Sequence, residues 1–213
     1  MLIASMNQKA SPDVLVVILA PNVAEQSVET NQNIARIYDP KTDKTLGFNF
    51  IGVSHIDKSI AGNGPIELSD DQINALKTAV EQAGFDATVL VADRTPKFVV
   101  GYVESTTKHP DSDHLLVTKT RVDNDETLQI VSGSPNIQEH IYVVVAKVGA
   151  VMPNGEIIWP GELRGVSSNG MITSGRELHL QNAPQKKGAL ILPDDFAKVG
   201  DPFDFELGNK LFV

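Results

Sequence analysis

Cysteine is absent from the 213-residue chain, which excludes disulfides, thiolate metal sites and thiol nucleophiles and leaves no need for an oxidising compartment. Long apolar runs are also missing. Val14 to Ala20, within MLIASMNQKASPDVLVVILA, falls far short of the roughly 20 apolar residues that cross a bilayer, and no basic leader precedes it. A signal peptide, a membrane anchor and a membrane partner are therefore not expected, and the cytoplasm is the default location. The sequence has no Gly-x-Ser-x-Gly elbow, which argues against a nucleophilic serine hydrolase, and no internal repeat or low-complexity tract. Positive charge is in short supply, since 18 Lys+Arg face 27 Asp+Glu for a net charge of −9. Nucleic-acid binders ordinarily carry a basic surface, so this balance counts against such a partner unless a local groove supplies the cations.

What is present suffices for an ordinary fold. Apolar residues make up 41% of the chain and charged residues 21%, the usual globular balance. The length suits two small domains, and Arg94-Thr95-Pro96 offers the join, giving a small α+β domain over 1–95 and a second domain over 96–213. In the first, residues 12–20 and 34–38 are β-branched-rich strands, and 46–54 alternates apolar with small or polar residues. The polar Asp-Pro segment 39–45 makes 34–54 an antiparallel pair. Ser69 stands at an N-cap position, Asp70 and Asp71 load the first turn, and Ile73, Leu76 and Val80 recur at helical spacing until Gly84 ends the helix. ATVLVAD at 87–93 reads as a further strand.

From Phe98 the pattern changes to short strands at 98–106, 115–122, 128–133 and 142–148, separated by turn formers such as Asp123-Asn124-Asp125 and Pro153-Asn154-Gly155. Such spacing predicts a barrel or sandwich. Residues 189–207 read as a strand plus a docking arm. The split of charge is modest: residues 97–180 hold 7 Lys+Arg against 10 Asp+Glu, or −3, and residues 1–96 hold 7 against 12, or −5.

Four blocks in this second region stand in a characteristic order: VGYVESTTKHPDSDHL, QIVSGSPNI, LRGVSSNGMITS and RELHL. Together they resemble the tRNA-binding domain that occurs as free-standing proteins, at the carboxy terminus of some methionyl-tRNA synthetases and near the amino terminus of the bacterial phenylalanyl-tRNA synthetase β subunit. The opening DVLVVIL, the INALKTAV helix and the two-part layout resemble the YtpR-type proteins of low-GC Gram-positive bacteria. The resemblance implies a mostly β fold in which an OB-fold barrel follows the small α+β domain. It also implies a non-catalytic protein without a cofactor that binds tRNA by shape and backbone, with homodimer formation and association with a synthetase or ribosome as further expectations.

Under that resemblance Ser168, Gly170 and Met171 match a Ser-x-Gly-Met motif, in which Gly lets the backbone approach a ligand and Met meets a base face. A plain turn at Gly170 with Met171 filling the barrel mouth is the alternative from the residues alone. Arg164 and Arg176 flank the motif and offer planar forks to phosphates, or stand as solvated surface charges. Lys119 and Arg121 alternate with Thr118 and Thr120, which puts both basic side chains on one strand face. Ser134-Pro135-Asn136 matches the family's Ala-Pro-Asn turn, where Asn136 reads a base edge or, as the residue type favours, braces the loop. Ser132 and Ser174 stand where the family commonly has cysteine, and Ser174 joins the candidate RNA contacts.

Two readings from other classes remain open. His109, Asp111, Asp113 and His114 lie within six residues in a pattern like the metal site of metallo-β-lactamase-type hydrolases, with His140 or His179 to complete a shell. The rival for these residues is a structural turn, in which His109 braces the loop and Asp111 or Asp113 caps backbone donors. An OB-type barrel serving as a protein-interaction module is the other, because an acidic surface suits a basic protein partner.

Overall fold

The computed structural model describes residues 1–212. The chain divides into two compact units, Met1–Arg94 and a second beginning at Thr95. Among the described residues no helix is long and apolar enough to cross a membrane.

The first unit is built on six antiparallel strands: β1 (Ile3–Asn7), β2 (Ser11–Ile18), β3 (Ser27–Asn31), β4 (Ile34–Tyr38), β5 (Thr45–Ile51) and β6 (Gly64–Ile66), in the order β3-β4-β5-β2-β1-β6. One helix, α1 (Asp70–Gln82), joins them in a single core where Leu15, Val17, Phe48 and Phe50 pack with Ile73, Leu76 and Val80. Its start follows the cap expected at Ser69. The Ser69 hydroxyl accepts from Gln72 N–H at 3.2 Å while the Gln72 side chain accepts from Ser69 N–H at 2.8 Å, a reciprocal capping box. β4 and β5 form the anticipated hairpin. β5 stops at Ile51, earlier than the alternation suggested, because Gly52 takes φ 70 and turns the chain into a short 3-10 segment, Val53–His55.

Residues 87–93 are not a strand. The Asp86 carboxylate accepts from the Thr88 N–H at 2.8 Å and its hydroxyl at 2.6 Å, and Leu90 N–H bonds Ala87 O at 3.1 Å. These local bonds hold the backbone in turns, dropping Ala87 and Leu90 into the core and leaving Val91 58% exposed. Spacing of three, rather than alternation, satisfied the apolar residues.

In the second unit β7 (Phe98–Lys108), β8 (Leu116–Arg121), β9 (Thr127–Ser132) and β10 (Tyr142–Ala146) realise the four expected strands. A small hairpin, β11 (Gly161–Leu163) with β12 (Val166–Ser168), precedes β13 (Met171–Ile172), and later come β14 (Ile191–Leu192) and α2 (Phe205–Asn209). The main sheet runs β13-β10-β7-β8-β9, with β14 also on β10. A bulge between Val103 and Ser105 breaks the β7 to β8 register, the kind of irregularity that bends a strand. Gly101 allows close packing across the sheet, since a Cβ there would stand 2.6 Å from Val145 Cγ2 and 3.0 Å from Thr120 Cγ2.

The sheet encloses Val99, Val103, Ile130, Val143, Val145 and Ile172. Its other face packs Val100 and Val144 against Leu178, Leu180, Leu192 and Phe203 of the later chain. Among the described residues no strand ladder joins the edges β9 and β13, so the closed barrel expected from the sequence is not reached by strand pairing. Three hydrogen bonds cross the seam instead: Asn169 N–H to Gln129 O at 2.9 Å, Gln129 Nε2 to Ser167 O at 2.8 Å, and Val131 N–H to Ser168 Oγ at 3.1 Å.

Candidate nucleic-acid interface

The seam between β9 and β13 opens into a groove of about 580 Å³. One wall comes from the end of β9 and the loop after it, Val131 to Ser134, and another from residues 156–161 around Trp159. Met171 and Ile172 line it from β13, and Arg176 and Lys187 from the segment beyond.

Ser168, Gly170, Met171, Ser174 and Arg176, anticipated from sequence, all line this groove. Their roles differ. Ser168 is 6% exposed, and its hydroxyl is committed to the seam, accepting from Val131 N–H and donating to Gly170 O at 3.3 Å. Gly170 has φ 145, and a Cβ there would lie 3.1 Å from Ala146 O, so the turn needs glycine. Met171 is half-buried and presents a flexible apolar surface. Ser174 is buried and makes a local turn with Glu177: its N–H and hydroxyl donate to Glu177 Oε2 at 2.8 and 2.6 Å, and its oxygen accepts from Glu177 N–H at 3.2 Å. Arg176 is exposed, and among the described residues its guanidinium makes no hydrogen bond or ion pair.

The other four anticipated residues do not line the groove. Lys119 and Arg121 do share the outward face of β8, with Thr118 and Thr120 fully buried on the other. Arg121 is held by Glu104 at 3.0 Å and lies 5.6 Å from the Tyr102 ring centroid, whereas Lys119 is exposed. Arg164 donates to Asp111 O at 2.7 Å. Asn136 braces two loops, donating to Ala189 O at 2.9 Å and accepting from Ala189 N–H at 2.8 Å.

The His109 turn is a brace. Its Nδ1 accepts from Asp111 N–H at 3.0 Å, which leaves Nε2 to donate to Leu163 O at 2.9 Å. With both ring nitrogens committed and the residue 3% exposed, His109 is not placed to ligate a metal. Among the described residues no group of three or more His, Cys, Asp or Glu is arranged to hold one. The capping expected of Asp111 or Asp113 falls to Ser112, whose hydroxyl accepts from His114 N–H at 3.3 Å.

Trp159 and Lys187 were not anticipated. Trp159 is the one tryptophan in the chain, half-buried in IIWPGEL, and Lys187 sits in the Gln-Lys-Lys-Gly stretch that reads as a connector. A lone tryptophan flanked by proline and glycine was the available signal.

Comparison with known families places these features. Residues 98–202 match the model described as "Putative tRNA binding domain", and residues 21–93 match a domain of unknown function, DUF4479. The chain is 42% identical over 139 residues to the phenylalanine–tRNA ligase β subunit of Oceanobacillus iheyensis, covering 63% of this chain but 16% of that protein. The Cupriavidus pinatubonensis β subunit is 42% identical over 159 residues, covering 70% of this chain and 19% of its own length. Among solved structures, the C-terminal domain of Plasmodium vivax p43 is 28% identical with a TM-score of 0.36, covering 52% of this chain and 61% of that one. The Bacillus subtilis protein named "Putative tRNA-binding protein YtpR" is 44% identical over 203 residues, 95% of this chain and 99% of that protein. The chain therefore belongs to the YtpR family, in which a DUF4479 domain is followed by a domain of the tRNA-binding type.

Proposed function

We propose that this protein is a non-catalytic tRNA-binding protein whose second unit is an OB-type barrel, open along the β9 to β13 seam, that holds tRNA at the groove there. The observation that carries the reading is a coincidence of position. The groove lies inside the matched segment 98–202 and gathers Ser168, Gly170 and Met171 of the Ser-x-Gly-Met motif together with Arg176. The strand order β13-β10-β7-β8-β9 supports the barrel, because the two edge strands are the pair that closure would join. Seam bonds through Ser168 and Asn169 keep the edges in register while leaving the mouth open. Concave sites lined by apolar side chains with a few polar groups at fixed positions are the usual form of a binding pocket.

The test is a titration of bulk tRNA at several salt concentrations with duplex DNA as competitor. Saturable binding that survives the competitor is expected, weakened roughly two- to tenfold in Met171→Ala by loss of the thioether's contact with a base. Failure of tRNA to bind even at low salt overturns the reading and directs the search to a basic protein partner.

A further inference from the structure

We infer that the groove seats a single unpaired RNA nucleotide, its base against the Trp159 ring and its phosphate on Arg176 and Lys187. This rests on the tRNA-binding reading above and specifies which part of the RNA the groove holds.

The first argument is what the arginines do. The chain has five, and four donate within the protein. Arg36 bonds Thr45 and Asp43, Arg94 bonds Leu68 O and Asp70, Arg121 bonds Glu104, and Arg164 bonds Asp111 O. Arg176 is the exception among the described residues, and it lines the groove. Lys187, on the same lining, is exposed and likewise makes no side-chain hydrogen bond or ion pair among the described residues. In a protein of net charge −9, two uncommitted cations on one concavity, beside a Glu177 carboxylate already engaged by Ser174, give a phosphate a local foothold.

The second argument is the apolar part of the same lining. Trp159 and Met171 supply an indole and a thioether, surfaces that accept a base face without regard to its sequence. A duplex keeps its base faces inside the stack, so only an unpaired nucleotide presents one to an indole. The volume of about 580 Å³ lies within the range of roughly 300 to 1,000 Å³ typical of single small-ligand sites.

The third argument limits the number of nucleotides. Glu156 and Glu177 share the lining, so its formal charges balance two against two. A track for many phosphates would need an excess of cations, whereas one phosphate placed on Arg176 and Lys187 does not. Ser134, also on the lining, offers a hydroxyl to a base edge.

The solitary tryptophan makes the site report on itself. The full-length protein is titrated with a single-stranded RNA of roughly 4 to 16 nucleotides, with the same sequence as a duplex, and with bulk tRNA. Trp159 emission and, separately, anisotropy of labelled RNA are followed. Saturable change in Trp159 emission is expected with the single strand and with tRNA but not with the duplex, and the single strand should compete with tRNA. Trp159→Phe should keep most of the single-strand affinity. Trp159→Ala should lose about 5- to 150-fold, the range of base stacking on an aromatic ring. Arg176→Gln changes an exposed, unpaired side chain and so leaves the fold intact; it should weaken binding and reduce the salt slope by about 0.7, the share of one phosphate on a single strand. Binding of tRNA with unchanged Trp159 emission and no competition from the single strand would overturn this inference and leave tRNA binding standing. Equal emission changes with single strand and duplex would also overturn it. Absence of all RNA binding would remove both readings.

Discussion

Asn136 spends both ends of its amide on one residue, Ala189, 53 positions later, and so ties the loop after β9 to the strand approach of β14. Ala189 is 8% exposed and sits in the enclosed core of the second unit, so its carbonyl and N–H have little access to water when the amide is removed. Asn136→Ala should therefore destabilise this unit by about 1–3 kcal/mol, the cost of leaving buried polar groups unpaired. Urea unfolding followed by Trp159 emission measures it within the same unit, and a loss below a few tenths of a kcal/mol would show that water replaces the amide. Gly101 and Gly170 make the same point for backbone: each occupies a place where a Cβ would crowd Val145 or Ala146. The valine-glycine-x-valine and Ser-x-Gly-Met blocks of the sequence thus encode close approaches that spacing alone does not reveal.

Among the elements, those written in local chemistry were legible and those written in long-range pairing were not. The helix was legible because Ser69, Asp70 and Asp71 mark its start and Ile73, Leu76 and Val80 its buried face. β7 to β10 were legible from alternation broken by turn residues. β3 was not, since SVETN is almost wholly exposed and has no apolar face to betray it. The groove was half legible: Met171 lies in the Ser-x-Gly-Met motif and Arg176 follows it closely, but Trp159 lies 12 residues before Met171 and Lys187 lies 11 after Arg176, and the fold brings both there. Local hydroxyl chemistry also sets an acid response. Asp13 is held below the ordinary aspartate range first by the Ser54 hydroxyl and then by the Ser54 N–H, and Asp57 and Asp86 are lowered in the same way by Ser59 and Thr88. Asp39 is lowered by the Lys41 N–H and then the Thr42 hydroxyl. A folded value below the unfolded one gives stability that is complete above about pH 3.9 and disappears as pH falls through the folded values. All four lie in the first unit, so the stability they contribute to it should be lost below about pH 4. Ser54→Ala should move the Asp13 titration up toward the ordinary value in a carboxyl NMR experiment, and an unmoved titration would refute the assigned cause.

At the scale of the molecule, the net charge of −9 and a polyanionic ligand have to be reconciled. Arg36, Arg94 and Arg121 pair with carboxylates, Lys147 pairs with Asp123 at 2.7 Å, and Arg164 is held by the Asp111 carbonyl, so these cations are already committed within the protein and the charge a phosphate meets is set locally. What remains near the groove is Arg176 and Lys187 opposed by Glu156 and Glu177, and of the two carboxylates Glu177 is engaged by Ser174. Glu156 is exposed, and its carboxylate makes no hydrogen bond or ion pair among the described residues. Its charge therefore acts on a bound phosphate through solvent, at roughly 0.5–1 kcal/mol for separations of about 4 to 8 Å in water. Glu156→Gln should accordingly strengthen tRNA binding about two- to sixfold at low salt, with the gain shrinking as ionic strength rises and the Debye length falls below about 10 Å. Anisotropy titrations of wild type and variant at paired salt concentrations read both effects. An equal gain at low and high salt would mean that Glu156 blocks the groove sterically instead of electrostatically, and no gain at all would place the bound phosphate away from the Trp159 wall.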